Sequence, residues 1–120
     1  LKTEATMITV WHNPKCSKSR EAIKLLEEKG ADFGVVKYLE ETPSREEIES
    51  LLKKLGISAR ELMRTKEELY KELALAKVTD EAKLIDALVA HPRLIERPVL
   101  IEGNRAVIGR PAEKVIEFLG

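Results

Sequence analysis

Two short β-type runs frame about twenty residues of helical character, and this spacing constrains the chain more than any other feature. Met7-Ile8-Thr9-Val10-Trp11-His12 is apolar and β-branched and runs into the turn pair Asn13-Pro14. After Cys16, the residues Ala22, Ile23, Leu25 and Leu26 share one helical face, and Gly30 stands at a C-cap position. Phe33 to Leu39 reads as a second strand. A strand, a helix and a strand at this spacing close as a right-handed crossover, which makes the two strands parallel.

From residue 42 to about 91 the period turns helical and stays so. Ser44-Arg45-Glu46-Glu47 is a capping box, followed by Ile48, Leu51, Leu52 and Leu55 on one face and by Gly56 as a stop. Further helices fit Ser58 to Met63, Glu67 to Ala76 and Asp80 to Ala90. Beyond Arg97-Pro98, Val99-Leu100-Ile101-Glu102 and Arg105-Ala106-Val107-Ile108 flank the two-residue turn Gly103-Asn104, a hairpin signal. A last helix carries Ala112, Val115, Ile116 and Leu119 on one face. The order β-α-β, helical block, β-β-α is that of an α/β, thioredoxin-like mixed sheet with an all-helical insertion. The expected organisation is a single domain over residues 7–120, with sheet-forming halves at about 7–41 and 92–120 and the insertion at about 42–91. Residues 1–6 read as an extension ahead of Met7, the natural start, and hold no apolar core for a signal peptide.

A chain of 120 residues, 43% of them hydrophobic, can bury one adequate core without metals or disulfides. Lys and Arg number 21, and so do Asp and Glu. That zero balance argues against a nucleic-acid partner, whose footprint is a basic excess. The longest apolar stretch is a few residues, against the roughly 20 that span a bilayer, so no membrane partner is expected. One cysteine cannot form an internal disulfide, and the cytoplasm is the expected compartment. No cluster has metal-ligand spacing, and no phosphate-loop or dinucleotide glycine pattern occurs, so neither a metal nor a bound cofactor is expected.

Cys16 lies between the first strand and the first helix, where exposed N–H groups and the helix dipole favour a thiolate. His12, Lys15, Lys18 and Arg20 add positive charge nearby. Position 19 is Ser where a thioredoxin-type pair has its second Cys, so any turnover must borrow an external thiol. His12 is placed to hold or tune Cys16, while Asn13 and Ser19 either hydrogen-bond the thiolate or cap the helix. His91-Pro92 reads as a helix end, and Pro98 is a candidate cis-proline facing the Cys loop. Arg64, Arg97 and Arg110 stand near element boundaries, and three converging guanidinium forks would match a tetrahedral oxyanion. From spacing alone, solvated surface arginines are the better reading of each.

His-Asn-Pro-x-Cys-x-x-Ser-Arg at 12–20, Tyr38-Leu39-Glu40, Gly56-Ile57-Ser58-x-Arg60-x-Leu62-x-Arg64, Leu84-Ile85-x-x-Leu88, His91-Pro92-x-Leu94-Ile95-x-Arg97-Pro98 and Gly109-Arg110-Pro111 together resemble the glutaredoxin-linked arsenate reductase family. The resemblance implies a thioredoxin-like fold with a helical insertion. It implies that Cys16 attacks arsenate and that Arg64, Arg97 and Arg110 bind it. It also implies that arsenate is reduced to arsenite through a covalent adduct on Cys16, with no bound cofactor. Glutathione, as co-substrate, attacks that adduct, and glutaredoxin reduces the mixed disulfide to release arsenite. Two alternatives stay open on the same scaffold: a glutathione-dependent thiol reductase acting on another substrate, and a non-enzymatic redox regulator that binds RNA polymerase. Such regulators sense through Cys-x-x-Cys, where this chain has Cys16-x-x-Ser19.

Overall fold

The computed structural model describes residues 7–120, and the extension read at residues 1–6 lies outside the described residues. In chain order the elements are β1 (Ile8–Trp11), α1 (Ser17–Glu28), β2 (Phe33–Val36), α2 (Arg45–Leu55), α3 (Ala59–Leu62), α4 (Glu68–Glu72), α5 (Glu81–Ala90), β3 (Val99–Glu102), β4 (Arg105–Ile108) and α6 (Glu113–Leu119). Short 3-10 turns lie at Leu75–Lys77 and Pro92–Leu94. The packing divides the chain into two compact units, residues 7–41 with Arg97–Gly120, and Thr42–Glu96.

The first unit is a four-stranded sheet of order β2-β1-β3-β4. β1 is parallel to β2, with Ile8 opposite Phe33 and Trp11 opposite Val36, and antiparallel to β3, with Val10 opposite Leu100. β3 and β4 form the hairpin, and Gly103 takes a φ of +59° at its turn. Strand alternation sends Ile8, Val10 and Leu100 to one face, where they meet Ala22 and Leu26 of α1 and Val115 and Phe118 of α6. Burying a side chain of this size contributes about 1.5–3 kcal/mol, so this cluster fixes which way the sheet faces. Past the end of α1, Gly30 adopts a φ of +67°, while Ala31 N–H bonds the Leu26 carbonyl at 3.1 Å.

Two expectations change here. The second strand stops at Val36 and does not reach Leu39, because the Lys37 carbonyl accepts from the N–H groups of Glu40 and Glu41 at 2.9 and 2.8 Å and turns the chain. In α6 the buried pair is Val115 and Phe118, whereas Ile116 is 45% exposed. Phe118 takes the core position because its larger apolar surface is covered twice, by the cluster and by the Arg105 guanidinium 4.0 Å from its ring centroid.

The second unit is helical. Ser44 and Glu47 cap α2 reciprocally, Gly56 ends it at a φ of +67°, and Ile48, Leu51 and Leu52 are buried as α2 packs with α5. Ser58 and Glu61 form a second capping box at α3. The single helix expected over Glu67–Ala76 is broken. α4 ends at Glu72, Ala74 takes a left-handed φ of +52°, and Leu75–Lys77 follows as a 3-10 turn. The Arg60 guanidinium binds the Tyr70 hydroxyl and the Leu75 and Val78 carbonyls, tertiary bonds that override local helix propensity. The unit also runs to Glu96, past the expected boundary at 91. Met63 bridges Ile95, Arg64 N–H bonds the Leu94 carbonyl at 2.7 Å, and Glu96 N–H bonds the Leu62 carbonyl at 2.8 Å. Among the described residues, no helix is long and apolar enough to cross a membrane.

Candidate active site

The site begins where β1 ends. His12 N–H continues the pairing to the Val36 carbonyl at 2.8 Å, and then the chain turns. Asn13 makes the turn twice over: its Oδ1 accepts from Lys15 N–H and its carbonyl from Cys16 N–H, both at 3.0 Å. Cys16 is thereby delivered as the N-cap of α1, in extended conformation at φ −95° and ψ 123°. An N-cap side chain faces the N–H groups of the second and third helical residues, here Lys18 and Ser19.

Those donors matter to the sulfur. Burial pushes the Cys16 thiol up. Against it work the backbone N–H of Ser19, a hydrogen bond and the charge of the Arg97 guanidinium, and the backbone N–H of Lys18. The donors win, and the thiol lies below its ordinary value. The expected local cations are not the cause. Arg20 donates to the Pro14 carbonyl at 2.9 Å, and His12 is no cation at neutral pH. Burial first, then the charges of Lys37 and Arg20, hold the imidazole below its usual range.

Ser19 is fully buried. Its Oγ accepts from Asn13 N–H at 3.0 Å and lies 2.6 Å from His12 Nδ1, so one hydroxyl ties strand, loop and helix together. The side chains of Asn13 and Ser19 therefore spend their hydrogen bonds on the loop. Ser19 serves the thiolate through its backbone.

Arg97 stands just before β3, across the cis peptide bond Arg97–Pro98. Its Nε is buried with no hydrogen-bond acceptor among the described residues. Gly109 N–H bonds the Pro98 carbonyl at 2.8 Å, and the Arg110 guanidinium reaches the Arg97 carbonyl at 3.5 Å. A Cβ on Gly109 would lie 3.1 Å from Pro98 Cγ and 3.0 Å from Val115 Cγ2, so any other residue here would push these side chains back by a few tenths of an ångström. Within the first unit Arg97 thus favours the Cys16 thiolate, and Arg110 reaches the Arg97 backbone. Arg64 belongs to the helical unit. There its guanidinium meets Glu67 at 2.8 Å and Glu96 at 3.9 Å, and Glu67 also binds Arg93 at 3.1 Å.

Sequence reasoning missed Glu67, Arg93 and the second cis bond, Arg110–Pro111. Only the last had a signal, in Gly109-Arg110-Pro111. Among the described residues, no group of three or more His, Cys, Asp or Glu is placed to hold a metal ion.

A four-stranded mixed sheet of this order, with Cys16 at the start of the helix that follows its first strand, defines a thioredoxin-like fold. Residues 11–118 match the ArsC family, and the chain belongs to that family. It is 50% identical over 115 residues to the uncharacterized protein YfgD of Escherichia coli, covering 94% of this chain and 97% of that one. It is 48% identical over 114 residues to a protein of Haemophilus influenzae named arsenate reductase, covering 93% and 98%. The solved structure of an arsenate reductase from Vibrio cholerae superposes with a TM-score of 0.89 at 47% identity, over 95% of this chain and 98% of that one.

Proposed function

We propose that the protein is a cytoplasmic arsenate reductase that uses Cys16 as nucleophile, with glutathione and glutaredoxin as reductants. One observation carries this reading. The Arg97 guanidinium lowers the Cys16 pKa from nearby while its buried Nε has no acceptor among the described residues. An unsatisfied buried donor costs about 1–3 kcal/mol, a cost that an oxyanion bound beside the sulfur relieves. Relatives named arsenate reductase supply the substrate, and the family resemblance adds Arg64 to the arginines that hold it.

The Cys16 thiolate attacks arsenic, and an arsenate hydroxyl takes a proton and leaves as water. Arg97 and Arg110 offset the oxyanion charge. Reduction of As(V) to As(III) takes two electrons, which two thiols supply as they become one disulfide. This chain has one thiol, so the second comes from outside. Glutathione attacks the adduct, arsenite leaves with the electron pair as a Cys16–glutathione disulfide forms, and glutaredoxin reduces that disulfide. Ser19, with its hydroxyl engaged by His12 and Asn13, offers no second sulfur for a Cys-x-x-Cys sensor.

The test is a coupled assay with arsenate, glutathione and glutaredoxin, followed by intact mass. Turnover requires all three, and without glutathione the reaction stops after one event per chain at most. Failure to form a glutathione adduct on Cys16, together with no protection of Cys16 by arsenate against alkylation, overturns the reading.

A further inference from the structure

We propose that the cleft at the carboxyl ends of β1 and β2 docks the thiol co-substrate, and that it selects a small peptide thiol bearing two carboxylates and one ammonium group. The proposal rests on the reading of Cys16 as the reacting thiol. β1 and β2 are parallel, so their carboxyl ends open on the same edge, where α/β sheets take their ligands. The loop after β1 supplies His12, Pro14 and Lys15 to one wall, and the turn after β2 supplies Lys37, Leu39 and Glu40 to the other. Together they bound a cavity of about 380 Å³, within the size of small-molecule sites.

The lining is chemically selective. Lys15 and Lys37 form no ion pair among the described residues, and the charge of Lys37 reaches into the site far enough to depress His12. Glu40 is the one carboxylate of the lining, and Leu39, 42% exposed, gives it an apolar strip. Two cations and one anion complement two carboxylates and one ammonium. A neutral thiol finds no partner for any of them.

Placement in the sheet agrees. β2 and β3 flank β1 on opposite sides. Arg97 and Arg110 belong to the β3–β4 side and the lysines to the β1–β2 side. Cys16 N–H bonds the Asn13 carbonyl at 3.0 Å, so the thiol is carried by the same loop that walls the cleft. The two reactants can therefore reach one sulfur from different strands without competing for the same cations.

The experiment measures the reaction of Cys16 with oxidised glutathione. The thiolate attacks one sulfur of the probe, the probe's S–S bond breaks, a Cys16–glutathione disulfide forms and one glutathione thiolate leaves. Rates are followed by intact mass for the native chain and for the double variant Lys15→Ala/Lys37→Ala. Neutral 2-hydroxyethyl disulfide and singly charged iodoacetate are run in parallel. The variant is expected to react about tenfold more slowly with oxidised glutathione and to change less than about twofold with the neutral disulfide. Equal slowing with iodoacetate would mean that the lysines supply only a local potential, and equal rates of both proteins with oxidised glutathione would mean that the cleft holds nothing. Either result overturns the proposal. No arsenate is involved, so a failure of arsenate reduction is seen separately from a failure of this site.

Discussion

Ser19→Ala removes one oxygen and should separate what holds the Cys loop from what activates the sulfur. The Ser19 hydroxyl is fully buried, accepts from Asn13 N–H at 3.0 Å and lies 2.6 Å from His12 Nδ1. A hydrogen bond contributes about 0.5–1.5 kcal/mol net, and both partners, half-buried, lose theirs together, so the variant should be less stable by about 2 kcal/mol. Urea unfolding by linear extrapolation reads this as a lower midpoint at constant m-value. Ser17→Ala, at an exposed position of the same helical turn, should stay within about 0.5 kcal/mol and serves as control. The thiolate should be nearly untouched, because it is the Ser19 backbone N–H, retained in the variant, that favours the anion. The pH midpoint of iodoacetamide alkylation should therefore move little. A stability loss below about 0.5 kcal/mol, or an alkylation midpoint returned to that of free cysteine, would refute the division of labour between hydroxyl and amide.

Arg97→Gln removes a hydrogen bond and a positive charge from Cys16, so its thiol pKa must rise and alkylation at neutral pH must slow, measured as an upward shift of the rate-against-pH midpoint. Gly109→Ala places a Cβ 3.0 Å from Val115 Cγ2 and 3.1 Å from Pro98 Cγ and should cost about 1–3 kcal/mol in urea, with a fall in arsenate turnover because Pro98 carries Arg97. Ala74→Gly relieves a left-handed residue at φ +52°. The relief of about 1–2 kcal/mol, less about 0.4–1 kcal/mol of added chain entropy in the unfolded state, leaves a gain on the order of 0.5 kcal/mol in thermal unfolding.

The elements were legible where local signals agree with tertiary packing. Val10 and Leu26 are apolar at the right period and become core. Ser44 with Glu47, and Gly103 with the β3–β4 register, do locally what their residue types favour. Apart from the local turn at Lys37 that ends β2, the misreadings lie where a distant group decides. Arg60 breaks the expected helix at Ala74 by binding carbonyls well along the chain, and Arg105 helps cover Phe118, so that Ile116 faces outward. Neither guanidinium is distinguishable, in the sequence, from the other arginines.

The same asymmetry governs the chemistry. Counting charges around Cys16 points to Lys15, Lys18 and Arg20, yet the cation that holds the thiolate is Arg97, which reaches it only because β3 lies beside β1 with Val99 opposite Trp11. Activation is therefore partly local, through two helix amides that any peptide with this turn could present, and partly a product of the assembled sheet. Local helix formation alone would leave the thiol without the guanidinium, and the thiol should gain its full acidity only once the two sheet-forming halves have paired. A thiol whose charged partner, Arg97, comes from the far end of the chain should react faster at mildly acidic pH in the folded protein than in the unfolded one. Alkylation at mildly acidic pH should accordingly fall with the same urea midpoint as the sheet, rather than persist in the denatured chain.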